Sequence, residues 1–282
     1  MPSLRFAGCK LTSRMSDLSI IDLGLIAYAD AWELQKRVVA ARKAGAIEDV
    51  LLFCEHPHVI TLGRSGNRAN LLASENVLHQ KGVEYFETSR GGDITYHGPG
   101  QIVGYPILNL GAIRRDVVWY VRTLEEAMIR ATAELGISAR RETGKTGIWV
   151  APNVAAADHR GRRPADSAAE KLGAIGVHIS RWVTSHGFAY NVSTDLRFFD
   201  LIVPCGIADR KATSLEKLLS RKVDSPEVAA RLKAHFAETF GLQIQAATPE
   251  DLLEILRKAE IPANVAPPVA QPILAVQEPI GT

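Results

Sequence analysis

The feature that most constrains this chain is the order in which its apolar periodicities change. Residues 18–23, 50–54, 59–62, 84–88, 93–96, 102–108 and 147–150 read as short strands. Residues 28–43 read as a helix, with Trp32, Leu34, Val38 and Val39 near helical spacing. So do residues 116–135, where Val117, Val121, Leu124, Met128 and Ala131 form one stripe and Gly136 can end it. Ser74 caps a shorter helix running to Gln80, with Val77 and Leu78 turned inward. Helices separate the strands too irregularly for a doubly wound parallel sheet, so the pattern predicts an α+β fold. Pro106 lies inside one strand-like run, which predicts an edge or a bulge there.

Further along, residues 171–183 alternate with Ile175, Val177 and Ile179 on one face, and 188–192 continue the sheet. The pattern then turns helical over 226–240 and 249–258. Each has proline near the first turn, with Ser225 or Thr248 as cap. Residues 151–170 carry Ala, Pro, Asp and Arg without apolar periodicity and read as an exposed loop. The expected organisation is a flexible extension over 1–16 and one domain over 17–260. Its large sheet part runs to about residue 210, with a small helical part after it. A Pro-rich disordered tail over 261–282 completes the chain. Met15 reads as an alternative start.

Composition excludes several classes. A chain of 282 residues, 46% hydrophobic and 23% charged, can bury a core without disulfides or a metal. A net charge of +2 argues against a dedicated nucleic-acid binder, although local basic patches for an acidic partner stay open. The three cysteines, Cys9, Cys54 and Cys205, form neither a disulfide framework nor a zinc site and fit a reducing cytoplasm. No apolar run is long enough to span a membrane.

Three segments carry residues that a core does not need. The first is Arg90-Gly91-Gly92-Asp93-Ile94-Thr95-Tyr96-His97-Gly98-Pro99-Gly100-Gln101. Its glycines let a ligand approach the backbone, and Arg90, Thr95, Tyr96 and His97 bring donors. A glycine-rich hairpin with a satisfied histidine fits equally well. The second is Lys171-Leu172-Gly173-Ala174-Ile175-Gly176, which alone also reads as a solvated strand end. The third is Val203-Pro204-Cys205-Gly206-Ile207, where a bend holds a cysteine that is either a nucleophile or inert. Cys54 ends an apolar run and reads as core, and Cys9 as incidental. If Lys171 and Cys205 meet, the ammonium stabilises a thiolate, or the neutral amine takes the thiol proton.

The first segment resembles the most distinctive motif of the lipoate-pathway octanoyltransferases. Gly144-Lys145-Thr146-Gly147-Ile148-Trp149-Val150, the Lys171–Gly176 run, Ser185-His186-Gly187-Phe188-Ala189-Tyr190-Asn191 and Pro204-Cys205-Gly206 follow in that family's order. The likeness covers roughly 17–260. It implies a biotin/lipoate ligase-like fold with a mixed sheet, flanking helices and a small C-terminal subdomain. It implies Cys205 as the acyl-thioester nucleophile and Lys171 as the residue that lowers its pKa. Arg90, Gly91, Gly92, Asp93, Ile94, Thr95, Tyr96 and His97 match segments that line the acyl substrate, as do Ala174, Ile175, Gly176, Gly187, Phe188 and Ala189. His97 and Tyr96 are expected to orient neighbours rather than act as the base.

The implied reaction is octanoyl transfer from the phosphopantetheine arm of acyl carrier protein to a lysine of a lipoyl domain or a glycine-cleavage H protein. No bound cofactor, metal, nucleic acid or membrane is expected to take part. Two features depart from the family: the 151–170 segment looks inserted, and Ala174 stands where a hydroxyl residue often occurs. The runner-up is an ATP-dependent lipoate or biotin ligase of the same fold, whose usual nucleotide-binding motif is missing. A third reading, a non-catalytic acyl-binding protein, would not need Lys171.

Overall fold

The computed structural model describes residues 17–151, 169–203 and 211–259. Four expectations therefore lie outside the described residues: the 1–16 extension, most of the 151–170 loop, Cys205 with its Pro204 and Gly206 neighbours, and the 261–282 tail. In chain order the elements are β1 (Asp17–Leu25), α1 (Tyr28–Ala44), β2 (Asp49–Glu55), β3 (Val59–Leu62), α2 (Glu75–Gln80) and β4 (Glu84–Glu87). Next come β5 (Ile94–His97), β6 (Gln101–Ile107), α3 (Leu110–Ile113), α4 (Val117–Ala133), β7 (Ala139–Glu142) and β8 (Lys145–Val150). The chain continues through β9 (Glu170–Ser180), β10 (Val183–Asn191), α5 (Leu215–Leu219), α6 (Ser225–Phe240), β11 (Gln243–Ala246) and α7 (Pro249–Lys258).

Eight strands form one mixed sheet in the order β11-β1-β2-β6-β10-β9-β8-β7. The β11-β1 and β1-β2 pairs are parallel and the remaining pairs antiparallel. Strands β2 and β6 read as unbroken apolar runs because helices cover both faces. On one face Leu51, Phe53, Phe188 and Tyr190 pack with Leu124 and Met128 of α4 and Phe236 of α6. On the other, Leu52, Val103 and Tyr105 pack with Val38 of α1 and Leu252 of α7. After residue 210 the chain stays with this sheet: β11 adds an edge strand to β1, and α7 joins the core beneath α1. Among the described residues no helix is long and apolar enough to cross a membrane.

A second sheet of three strands, β4-β3-β5, stands beside the first. Because β4 and β5 lie on opposite sides of β3, the glycine-rich segment is not a hairpin but a crossing over the end of β3. Four local details differ from the sequence reading. Pro106 sits in an interior strand, not at an edge. The β6-β10 ladder stops at Gly104↔Phe188, and the Thr184 hydroxyl then donates to Pro106 O (2.7 Å) and accepts from Leu108 N (2.8 Å). The alternating run 171–183 is two strands joined at Arg181 and Trp182, both with positive φ (51° and 63°) and without the glycine or asparagine that usually marks such a turn. The buried stripe of α4 runs through Tyr120, Leu124, Ala127, Met128 and Ala131, leaving Val117 exposed. The cap of α6 is Asp224, whose carboxylate accepts from Glu227 N.

Candidate active site

The Arg90 loop is fastened from both sides. Its guanidinium Nε donates to Thr61 Oγ1 (3.1 Å), Nη2 to Thr61 Oγ1 (3.0 Å) and to Thr61 O, and Nη1 to Gly91 O (3.1 Å). Gly91 N donates to Val177 O of β9 (2.9 Å), which docks the loop on the large sheet. That approach needs a glycine opposite: a Cβ on Gly176 would lie 2.8 Å from Gly91 O. Asp93 is a clamp, accepting from Asn67 N and Asn70 Nδ2.

Lys171 is aimed by a β-bulge. Trp149 pairs with Lys171 but the adjacent Ile148 pairs with Gly173, so one residue of β9 is extra. Leu172 packs in the α4-side core. A Cβ on Gly173 would also point there, 2.9 Å from Ile148 Cγ1 and Met128 Sδ. Two consecutive residues on one face are what a bulge produces. Lys171 consequently shares the opposite face with Ala174 and Gly176. Its Nζ lies 4.6 Å from the centre of the Trp149 ring, within cation–π range. Lys171 N donates to Lys211 O (2.9 Å) and Thr213 N donates to Lys171 O (2.9 Å). The segment beginning six residues after Cys205 is thus locked beside Lys171.

A buried chain of side chains joins the glycine-rich motif to that segment. His97 Nδ1 and Gln101 Oε1 are 2.7 Å apart. Gln101 Nε2 donates to Tyr96 O (3.2 Å) and to Asn191 Oδ1 (2.8 Å), and Asn191 Nδ2 donates to Thr213 O (2.9 Å). The two backbone carbonyls can only accept, which fixes both amide orientations. Gln101 Oε1 must therefore accept from His97 Nδ1–H, leaving Nε2 the unprotonated nitrogen. Burial pushes the His97 pKa down to about 3, with neighbouring His56 adding to the effect, so the ring is neutral. Replacing Gln101 with Leu orphans His97 Nδ1–H and Asn191 Oδ1 together. We expect a loss of about 2–4 kcal/mol of stability in urea unfolding, against at most about 1 kcal/mol for an exposed control such as Gln243→Leu.

The structure also brings in residues that the sequence alone did not assign to the site. His186 adopts φ 54°, which is rare for a residue with a side chain and concentrated at functional sites. Its backbone N donates to Gln35 Oε1 (3.0 Å), its Nε2 lies 3.1 Å from Ser89 Oγ, and its ring packs 6.1 Å from Trp32. Burial pushes its pKa down to about 3, aided by the Arg90 charge. Tyr28 at the start of α1 stacks on His97 at 6.3 Å and meets His56 edge-on at 5.4 Å. His56 donates from Nδ1 to Ile26 O (2.8 Å), so Nε2 accepts from the Tyr105 hydroxyl (2.7 Å); burial holds its pKa near about 4. Cys54 is buried and burial raises its thiol pKa well above the usual value, as expected of a core cysteine.

These residues surround one narrow pocket, with apolar walls and a few convergent polar groups. Lys171, Arg90, Gly92, Asp93, Ile94, Thr95 and His97 line it, as do Ala174, Ile175, Gly176, Gly187, Phe188 and Ala189. The unanticipated members are Tyr28, Val103, Tyr105 and His186. Two expected residues lie elsewhere. Gly91 is behind the wall, bonded to Val177. Tyr96 points into the small-sheet core, with its hydroxyl 2.7 Å from His58 Nδ1 and its ring stacked on Phe198 at 5.1 Å.

Comparison with known proteins bears on this arrangement. Residues 27–237 match the lipoyl protein ligase A/B catalytic domain. An octanoyltransferase of Acidobacterium capsulatum is 47% identical over 249 residues, covering 84% of this chain and 96% of its own. One from Solibacter usitatus is 49% identical over 230 residues, covering 82% and 96%. Lipoate-protein ligase A bound with ATP superposes with a TM-score of 0.65 at 17% identity, covering 87% of this chain and 94% of its own. A putative lipoate protein ligase from T. acidophilum with bound lipoic acid gives 0.64 at 15%, with the same coverage. At those identities the structural likeness establishes the fold, and it is the mixed-sheet, ligase-like fold expected. With the family match spanning most of the chain and relatives near half identical over nearly their full length, this chain belongs to the lipoyl protein ligase A/B catalytic-domain family and, within it, to the octanoyltransferases, a group of acyltransferases.

Proposed function

We propose that this chain moves an octanoyl group from the phosphopantetheine thioester of acyl carrier protein to a lysine of a lipoyl domain, through a thioester on Cys205. The observation that carries the reading is the bulge-directed Lys171 opening into the pocket, with the segment that follows Cys205 paired to its backbone. Lipoyl domains of 2-oxoacid dehydrogenases and the glycine-cleavage H protein are the acceptors.

In the first half-reaction the Cys205 thiolate forms a C–S bond to the octanoyl carbonyl carbon. The tetrahedral oxyanion collapses, the C–S bond to pantetheine breaks, and the pantetheine thiolate leaves to take up a proton. Backbone N–H groups near Gly176 or Cys205 can receive the transient oxyanion. Lys171 favours the thiolate by its charge or, when neutral, takes the thiol proton. In the second half-reaction a lysine amine of the acceptor forms a C–N bond to the same carbon. The Cys205 C–S bond breaks, and a proton passes from nitrogen to sulfur through Lys171. His97, neutral and held by Gln101, presents Nε2 as an acceptor and orients neighbours without serving as the base. A thioester already carries the free energy needed to form an amide, so the reaction runs without ATP.

The test is transfer to a lipoyl domain from octanoyl-carrier protein in ATP-free buffer. Octanoylation of the acceptor lysine is expected. Octanoylation only from free octanoate plus ATP would place the chain with the ligases instead.

A further inference from the structure

Among the described residues, one side chain stands between this pocket and a neighbouring groove. The pocket runs along β9 and β10, lined from Lys171 to Gly176 on one strand and from Ala189 to His186 on the other. Five residue steps lead from Asn191 to His186, about 17 Å at strand rise. Beyond His186 lies a second space of about 420 Å³, an open groove between α1 and the β9-β10 turn. Trp32, Val39, Ala40 and Val183 give it apolar wall, and Lys43 and Arg181 stand at its rim. Among the described residues, His186 is the one that lines both spaces.

This partition is built and held. The left-handed backbone at His186 swings the ring toward α1, where Trp32, Ser89 and the Gln35-bound backbone N–H fix it. A side chain in a disfavoured conformation persists only where its surroundings over-determine it. Its neighbour Gly187 adds no side chain of its own to the partition: a Cβ there would collide with Gly104 O and Pro106 Cδ.

We propose that His186 sets the upper limit of acyl-chain length by separating the acyl pocket from the α1 groove. The proposal rests on the functional reading above, which puts the thioester at the Lys171 end and the methyl terminus at the His186 end. Removing the ring joins the two spaces and gives the terminal methylenes of a longer chain the Trp32 and Val39 wall to cover. Each newly buried methylene is worth about fourfold in affinity.

The test compares octanoyl-, decanoyl-, dodecanoyl- and tetradecanoyl-carrier protein as donors for wild type, His186→Gly and His186→Asn. Glycine suits the left-handed backbone, and asparagine tolerates it while keeping a polar group for Ser89. The dodecanoyl-to-octanoyl ratio of kcat/KM should rise at least tenfold in the glycine variant and less in the asparagine variant. Adding Ala40→Phe, which fills the groove, should return that ratio toward the wild-type value. Ratios unchanged in either folded variant overturn the proposal, because the chain then ends elsewhere. A wild-type protein that accepts no acyl-carrier thioester of any length would instead refute the functional reading on which it rests.

Discussion

Replacing Lys171 with Met is expected to lower octanoyl transfer by about two to four orders of magnitude, the range of a lost general acid–base group. A free thiol has a pKa of about 8.5, so at neutral pH only a few per cent of Cys205 would be thiolate without help. In the proposed mechanism the lysine also accepts a proton from the attacking amine, so both half-reactions should slow. Met keeps an unbranched apolar stem beside Trp149, so stability should change little, which separates chemistry from folding. Lys171→Arg isolates the charge. Guanidinium can favour a thiolate but cannot give up its proton, so acylation should survive better than transfer. The check is iodoacetamide alkylation of Cys205 against pH. The wild-type midpoint should lie well below 8.5 and move to the free-thiol value in the Met variant. Equal midpoints in the two proteins would remove Lys171 from the activation step.

Acid should unfold this protein over a window set by histidines. His56, His97 and His186 are held neutral, with pKa values pushed down by burial to about 4, 3 and 3. In the unfolded chain each titrates near 6.5. The folded values are lower, so the unfolded state binds protons first and stability falls as pH drops below 6.5. By pH 4.5 each contributes a loss of roughly 2–3 kcal/mol. Acting together they approach the whole stability of a domain, about 5–15 kcal/mol. Paired carboxylates do not explain loss in this window. Glu126, held below the usual carboxylate range by Arg130 and Arg141, gives up its charge only at lower pH. Urea midpoints measured from pH 7 to 4.5 should fall steeply below pH 6.5. His56→Gln should flatten the slope, since an amide keeps a polar partner for Tyr105 without the titration. A midpoint independent of pH down to 5 would contradict the buried-neutral assignment.

The elements that position the site were largely legible because their signals are local. The apolar runs of β2 and β6 and the caps Ser74 and Thr248 are properties of adjacent residues, and the structure reproduces them. What escaped the sequence depends on distant partners. The bulge at Leu172–Gly173 is tied to partners far along the chain, since Ile148 and Met128 leave no room for a side chain at Gly173. The wall at His186 depends on Trp32, Gln35 and Ser89, which lie far away in sequence. The turn at Arg181 and Trp182 carries none of the usual residues, so the alternation of β9 read on through it to Val183. One miss had a signal available. Strand alternation through β5 sends Tyr96 to the face opposite His97, away from the pocket, once both are placed in one strand. The charged β7 offers no apolar pattern because it is an exposed edge strand.

The covalent intermediate is the claim that organises all of this, and intact mass spectrometry tests it most directly. The protein would be mixed with octanoyl-carrier protein without ATP, then with a lipoyl domain, alongside the Cys205→Ala variant. The account predicts a gain of one octanoyl group on the wild-type chain, located on Cys205 and not on the buried Cys54, and discharged when the lipoyl domain is added. It predicts no adduct and no transfer in the variant. Full transfer activity in Cys205→Ala, or an adduct that the lipoyl domain cannot discharge, would contradict it.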